Sequence, residues 1–362
     1  MKSKWPTYPL SKFVRSKSGN SKIIKGKQSA TPKDDLIQGF SASGPDVWVQ
    51  VADYNQPGVV ISAVGARCGK TFLANGKWTA IANTHVLLPN NEIDTRWLWY
   101  RTNDEEFWIK GGSAQPFVKV KDTLEQPCKI PPLAEQQRIV GLLDEAFEGI
   151  ATAKAAAEKN LQNARALFES HLQSVFTQRS EGWVETTVDK ISTNLDSKRI
   201  PITKNVRTSG KYPYYGASGI VDYVGDYIFD GDTLLVSEDG ANLLARSTPI
   251  AFSVSGKYWV NNHAHILKFE NMATQRFVEF YLESIKLDEY ITGAAQPKLN
   301  QKALNSIPVP IPKSVDEQAK IVNGISSLQE EAQRLASIYK QKLAELEALK
   351  KSLLHQAFTG QL

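Results

Sequence analysis

"PPLAEQQRIV" at residues 131–140 returns as "KSVDEQAKIV" at residues 313–322. Glu135-Gln136 falls over Glu317-Gln318 and Ile139-Val140 over Ile321-Val322, and the same offset carries Phe176-Thr177 onto Phe358-Thr359. A repeat of this kind means two copies of one structural plan. Behind each copy runs a segment, about 133–178 and 315–358, with no proline after its first turn. Both read as helices, each roughly 65 Å long at about 1.5 Å per residue.

Apolar residues recur along these helices at steps of four and three. One row is Ile139, Leu143, Ala146, Ile150, Ala153, Ala157, Ala164, Leu167 and Val175. The other is Ile321, Ile325, Leu328, Ala332, Leu335, Tyr339, Leu346, Leu349 and Leu353. The spacing predicts a coiled-coil seam, with Asn160 and Lys342 as polar interruptions of the kind that fix register.

The segments ahead of the helices correspond as well. "GWVETTVDKI" (182–191) matches "KWPTYPLSKF" (4–13), and "YGASG" (215–219) matches "FSASG" (40–44). "VSEDGA" (236–241) falls on "ISAVGA" (61–66), and "GKYWVNNHAHIL" (256–267) on "GKWTAIANTHVL" (76–87). "TGAAQPKL" (292–299) falls on "GGSAQPFV" (111–118). Each half is therefore a globule followed by a helix. The globules are rich in Val, Ile, Tyr and Trp between Gly and Pro turns, which predicts much sheet. "RWLWYR" (96–101) and "RFVEFYLESI" (276–285) each predict a short helix. The expected class is α+β: two mixed α/β domains separated by two long antiparallel coiled-coil helices, a pseudo-two-fold internal repeat. Its expected bounds are domains 1–132 and 179–312, with helices 133–178 and 313–362.

At 362 residues, 41% hydrophobic and 22% charged, the composition is that of an ordinary globular protein of two to three domains. No apolar run approaches the ~18 residues of a membrane span, and the basic N-terminus lacks the apolar stretch of a secretory signal. Cys68 and Cys128 make neither a disulfide framework nor a zinc set, and point to a reducing cytoplasm. The net charge of +5 is a weak pointer to a polyanion, yet the first 33 residues hold nine Lys or Arg and no acid. Catalytic patterns are missing: no H-E-x-x-H, no G-x-S-x-G, no G-x-G-x-x-G opening a Rossmann unit. The Asn/Asp-Pro-Pro-aromatic tetrapeptide that grips a flipped base is missing too, and "PDVWVQVAD" (45–53) lacks the Glu-x-Lys of a nuclease.

"ISAVGARCGKTF" (61–72) resembles a nucleotide phosphate loop but has three residues, not four, between its glycines. Its repeat counterpart, Gly240 to Arg246, keeps a glycine and a cation and loses Gly-Lys-Thr altogether. A nucleotide site is the weaker reading. A tight turn that offers Arg67, Lys70 and backbone N–H groups to DNA phosphates fits both copies, as does a purely structural turn.

The whole chain resembles the specificity subunit of type I restriction–modification enzymes. The resemblance rests on the twin "PPLAEQQRIV" and "DEQAKIV" helix starts, the "LLHQAFTGQL" ending, "EDGANLLARSTPIAF" with "GKYWVNNHAHIL", and the "GARCGK" turn. It implies two target-recognition domains, each reading one half of a split double-stranded DNA target, and two helices that space them and dock two methyltransferase subunits. It implies no catalysis by this chain. S-adenosylmethionine, ATP and Mg would belong to partner methyltransferase and restriction–translocase subunits, in a cytoplasmic complex with no membrane partner. A coiled-coil scaffold without sequence-specific DNA binding is the alternative.

Candidate DNA contacts follow from residue type. Arg67, Lys70, Asn242 and Arg246 lie on the paired turns. Lys77 and Lys257 follow glycines and are either phosphate contacts or ordinary exposed lysines. Asn261, Asn262 and His263 form a dense donor–acceptor run, suited to base edges or to capping a turn. Gln115, Lys119, Gln296 and Lys298 flank the Gln-Pro loops. His85 and His265 read as strand residues held by hydrogen bonds. "SKSGNSKIIKGK" (16–27) and "DSKRIPITKNVR" (196–207) read as mobile basic loops, suited to a DNA backbone or merely solvated.

Overall fold

The computed structural model describes residues 5–179, 181–293 and 295–362. Lys2 and Lys4 of the basic terminus and Ala294 of the second Gln-Pro loop lie outside the described residues. The chain divides into two compact units, Met1–Ala157 with Gln341–Leu362, and Glu158–Lys340.

In the first unit, strands Val14–Ser18, Thr84–Pro89, Gly58–Ser62 and Thr71–Ala74 form one sheet in that spatial order. Gly44–Val49, Ile37–Ser41, Lys77–Ala80 and Tyr54–Asn55 form another. The second unit repeats the plan with Thr193–Asn194, Ala264–Lys268, Thr233–Ser237 and Ala251–Val254, then Gly219–Val224, Ser209–Gly216, Lys257–Val260 and Phe229–Asp230. A parallel pairing recurs at the same place in each set: Ile37–Ser41 with Lys77–Ala80, and Ser209–Gly216 with Lys257–Val260.

Strand alternation explains the continuous apolar runs at the centre. Successive side chains point to opposite faces, so Val59 and Ile61 enter one core while Val60 enters another. Leu234 and Val236 are likewise divided from Leu235. Both faces are covered, so neither strand has a polar side.

The predicted short helices are Thr95–Thr102 and Met272–Ser284, capped by the side chains of Asp94 and Asn271. The long helices are Leu133–Thr177 and Val315–Thr359, each of 45 residues. Pro131 and Pro132 precede the first, and Gly360, with φ +76, ends the second in the left-handed conformation that favours glycine. Within the first unit, 133–157 runs antiparallel to 341–362. Lys154 bonds Glu347 at 2.7 Å and Arg138 donates to the Leu362 carbonyl at 2.9 Å. Ala357 and Phe358 close this unit's core, Phe358 meeting Trp97 edge-on at 5.9 Å. The repeat partner Phe176 does the same in the second unit, against Phe277 and Tyr281.

The predicted seam shifts along its length. Ile139, Leu143, Ile150, Ala157 and Ala164 are buried, but Leu167 is 60% exposed and the stripe continues through Phe168, Leu172 and Phe176. Leu349 is exposed too. A straight helix drifts against a strict heptad, and steps of four after Ala164 follow that drift onto the globule. Asn160 and Lys342 are exposed, so they do not fix register.

The repeated glutamines explain why the helix starts recur. Gln136, 1% exposed, accepts from Asp94 N at 2.8 Å and donates to the carbonyls of Glu92 and Pro131 at 3.0 and 2.9 Å. Gln318, 5% exposed, accepts from Thr274 Oγ1 and donates to the Pro312 carbonyl, both at 2.7 Å. Each amide ties its long helix to the start of the short helix or to the strand that leads into it.

The basic segments expected to be mobile loops contain regular structure and paired side chains. Val14–Ser18 is a strand, and Lys25 is paired with Asp46. In 196–207, Arg207 bonds Asp222 and the Ile202 carbonyl. Asp196 sinks into a buried charge group that has no copy in the first unit. Its Oδ2 faces His265 Nδ1 at 2.5 Å and its Oδ1 accepts from Ile266 N at 2.9 Å. His265 Nε2 donates to the Leu299 carbonyl at 2.7 Å. Both ring nitrogens thus face oxygen atoms. Arg199 donates to Glu238 at 2.6 Å and to the Ala264 carbonyl at 2.8 Å, and Lys298 lies 3.1 Å from Glu238. Burial pushes the Asp196 carboxyl up, but the hydrogen bond and charge of His265, Ile266 N–H and Arg199 outweigh it and hold it below the usual range. Burial also pushes Glu238 up, and Arg199, His265 and Lys298 reverse that in the same way.

Gln136→Ala or Gln318→Ala leaves buried backbone or hydroxyl groups unpaired, and is expected to cost roughly 1–3 kcal/mol per orphaned group, read by urea unfolding of the full chain. Carboxyls depressed in the fold contribute stability that is complete above their unfolded pKa and is lost as pH falls through the folded one. The melting temperature of the second unit is therefore expected to fall as pH drops below the ordinary carboxylate range of about 4. Calorimetry should show a flatter pH slope in the Asp196→Asn/Glu238→Gln chain.

Candidate nucleic-acid interface

In each unit the central strand runs into a turn that is pinned to a neighbouring loop by the same backbone bond. Gly65 N donates to the Pro116 carbonyl at 2.8 Å, and Gly240 N to that of Pro297 at 3.0 Å. A second matched pair follows: Val118 N bonds Ala63 O at 2.9 Å, and Leu299 N bonds Glu238 O at 2.8 Å. A third ties in the next turn, Ala63 N to Asn83 O at 3.0 Å and Glu238 N to His263 O at 2.9 Å. The Gln-Pro loops share a glycine-dependent turn as well. Gly112 and Gly293 have φ of +82 and +86, and a Cβ there would meet the Gln115 or Gln296 carbonyl at 2.4 or 2.5 Å. Three segments thus converge on one backbone frame in both units.

The frame is common to both units, and of its exposed polar side chains only the loop glutamine is shared. In the first unit it presents Arg67 and Gln115, both exposed, with Lys70 half-buried. Cys68 sits in the core and anchors the turn from beneath. Lys119, exposed, lines a groove of about 430 Å³ with Lys17, Lys121 and His85. His85 is half-buried, and burial lowers its pKa, opposed by the Lys17 backbone. In the second unit the frame presents Asn262, His263, Gln296 and Lys298, all exposed. Asp239 holds the His263 ring, its oxygens 2.9 Å from Nδ1.

Several expected contacts have other tasks. The amides of Gly65, Cys68, Gly69 and Lys70 all donate within the protein, to Pro116, Gly65, Ser62 and Arg67 carbonyls. They cannot wrap a nucleotide phosphate, nor grip a DNA phosphate as expected. Asn242 caps its own turn, donating to the Thr248 carbonyl and accepting from Thr248 N and Ser247 Oγ. Arg246, itself at φ +49, donates to the Leu282 and Ile285 carbonyls at the end of Met272–Ser284. Its bonds belong to the fold. Asn261, 8% exposed, accepts from His263 N and shapes the run without reaching its surface. Lys77 and Lys257 are exposed but lie across a four-residue strand, about 13 Å, from the converging turns. Lys257 sits over the Tyr227 ring at 4.6 Å, and its hydrogen bond with Tyr227 raises its pKa.

Sequence reasoning missed Asp196, Arg199, Glu238 and Asp239. Asp196 pairs across the sheet where Ser18 stands opposite His85 in the first unit, so no identity in the repeat drew attention to it. Asp196, Glu238 and His265 bring ligand-type atoms within 4.8 Å of one another. A cation there would have to displace Arg199 and Lys298 from these carboxylates, so the donor set is already matched. Among the described residues no helix is long and apolar enough to cross a membrane.

Comparison with known proteins places this frame. The family of the type I restriction modification DNA specificity domain matches twice, at residues 7–161 and 180–348. The type I restriction enzyme EcoprrI specificity subunit of Escherichia coli is 24% identical over 345 residues, covering 83% of this chain and 84% of that protein. A Haemophilus influenzae protein, provisionally named a type I restriction enzyme specificity subunit, is 35% identical over 146 residues. That match spans 40% of this chain and only 37% of the relative's length. Among solved structures, one described as showing complex assembly and conformational transition of the type I R-M system aligns over 100% of both chains, with TM-score 0.77 and 15% identity. The HsdS subunit of Thermoanaerobacter tengcongensis aligns over 99% of this chain and 97% of its own, with TM-score 0.62 and 15% identity. At those identities the two structures speak for the fold alone. With its domain matched in both halves, the chain belongs to the type I restriction–modification DNA specificity family.

Proposed function

We propose that this chain is the non-catalytic reading subunit of a type I restriction–modification complex, and that each unit reads one part of a two-part duplex target. The observation that carries this reading is the repeated frame: the same three backbone bonds hold two sets of exposed polar side chains that share only the loop glutamine. A module that changes its target while keeping its fold needs that division. Backbone contacts then orient the duplex and side chains on the fixed turns meet base edges. Arg67, Lys70, Gln115 and Lys119 serve the first unit, and Asn262, His263, Gln296 and Lys298 the second. Lys77 and Lys257 would meet phosphates away from the base-reading turns. The outward faces of the long helices are proposed to dock two methyltransferase subunits, which would bring S-adenosylmethionine. Restriction–translocase subunits would bring ATP and Mg.

Selection of bound duplexes from a randomised pool by the full chain, with its methyltransferase present, is expected to return two short fixed motifs separated by a gap of constant length. Binding without sequence preference would favour a coiled-coil scaffold instead. Arg67→Ala and Lys119→Ala should each weaken binding and lower the slope of log affinity against log salt by about one. An unchanged slope removes that residue from the phosphate contacts.

A further inference from the structure

Beneath the exposed residues of the second unit lies the charge group that the proposed reading does not use. Asp196, Arg199, Glu238 and His265 come from three separate stretches of chain, and with Lys298 and the Leu299 carbonyl they join a fourth. Resting on the reading that this unit recognises DNA, we propose that Asp196, Glu238, His265 and Arg199 are positioning residues. They set the 238–246 turn, the 261–264 turn and the 295–299 loop, and through them the base pairs the second unit accepts.

The first argument is economy of fold. The first unit holds the equivalent turns with the same backbone bonds, yet it has Ser18 and Ala63 where the second has Asp196 and Glu238, and Phe117 in place of Lys298. The frame therefore forms without the charges. The second is energetic. Asp196 and His265 side chains are 5% and 1% exposed, and Arg199 and Glu238 are 14% and 12%. Taking such groups out of water offsets part of their attraction, and partners fixed at this depth also hold the geometry of the segments they join. The third is connection to the surface. Glu238 bonds Lys298 directly, and the neighbouring Asp239 orients the His263 ring. His265 fixes the carbonyl of Leu299, next to Lys298 and three residues from Gln296. A shift in the buried group therefore reaches Lys298 through one ion pair, His263 through the adjoining Asp239, and Gln296 through the 296–299 backbone.

Pool selection with the full-length Glu238→Gln and Asp196→Asn chains tests this. One of the two motifs is expected to lose on the order of tenfold in discrimination at its base pairs, while the other motif and the gap stay as in the wild type. Hydrogen exchange should rise in 194–200, 238–246 and 295–300 and stay unchanged in the helix Met272–Ser284. Loss of discrimination in both motifs, in neither, or loss of protection in that helix as well would overturn the proposal, because the group would then be a general stabiliser or irrelevant. A wild-type chain that selects no two-part motif overturns the underlying reading, and this inference with it.

Discussion

A primary amide buried at the foot of a long helix must find its partners or destabilise the fold. Gln136 and Gln318 meet that demand only when helix and globule stand in one relation, because their partners lie on the short helix or its lead-in and on the strand end. Everything further out in each unit inherits this constraint. The short helices cover one face of the sheet, the sheet carries the central strand, and the central strand delivers the paired turn. The side chain that looked like the least remarkable letter of a repeated motif fixes the globule's angle to its helix.

Above that foundation the two units separate backbone from chemistry. Their turns are closed by matched hydrogen bonds between main-chain atoms, which are indifferent to side-chain identity. Substitution at the rim therefore leaves the frame intact. The first unit presents a guanidinium, an amide and a lysine-lined groove. The second presents asparagine, a carboxylate-held histidine and a lysine shared with a buried acid. The two sets share only the loop glutamines Gln115 and Gln296, although the same three main-chain bonds lie beneath them.

Much of this was legible in the sequence, because repeats and helical periods are local patterns. The twin Glu-Gln starts, the proline-free runs and the two short helices all followed from spacing alone. The short spacing of the turn at 61–72 argued against a nucleotide loop, and four of its amides bond within the protein. What escaped was long-range. Arg246 reads as a free cation until the end of Met272–Ser284 is seen to offer it carbonyls 36 and 39 residues away. Asp196 meets His265 across 69 residues, and no periodicity announces such a pair. Leu167 and Leu349 fit the heptad on paper, but the helix turns its stripe where a globule, not another helix, becomes the neighbour.

The membership of residues 341–362 in the first unit has a consequence for biosynthesis. Ala357 is fully buried in the same core as Trp97 and Leu143, so that core stays open until the helix behind it has been made. The second unit, Glu158–Lys340, is one continuous stretch and has no such wait. On a ribosome, the part of the chain that emerges first is then completed last. Its apolar surface must be kept from aggregation during the interval, for roughly as long as it takes to translate the whole of the other unit.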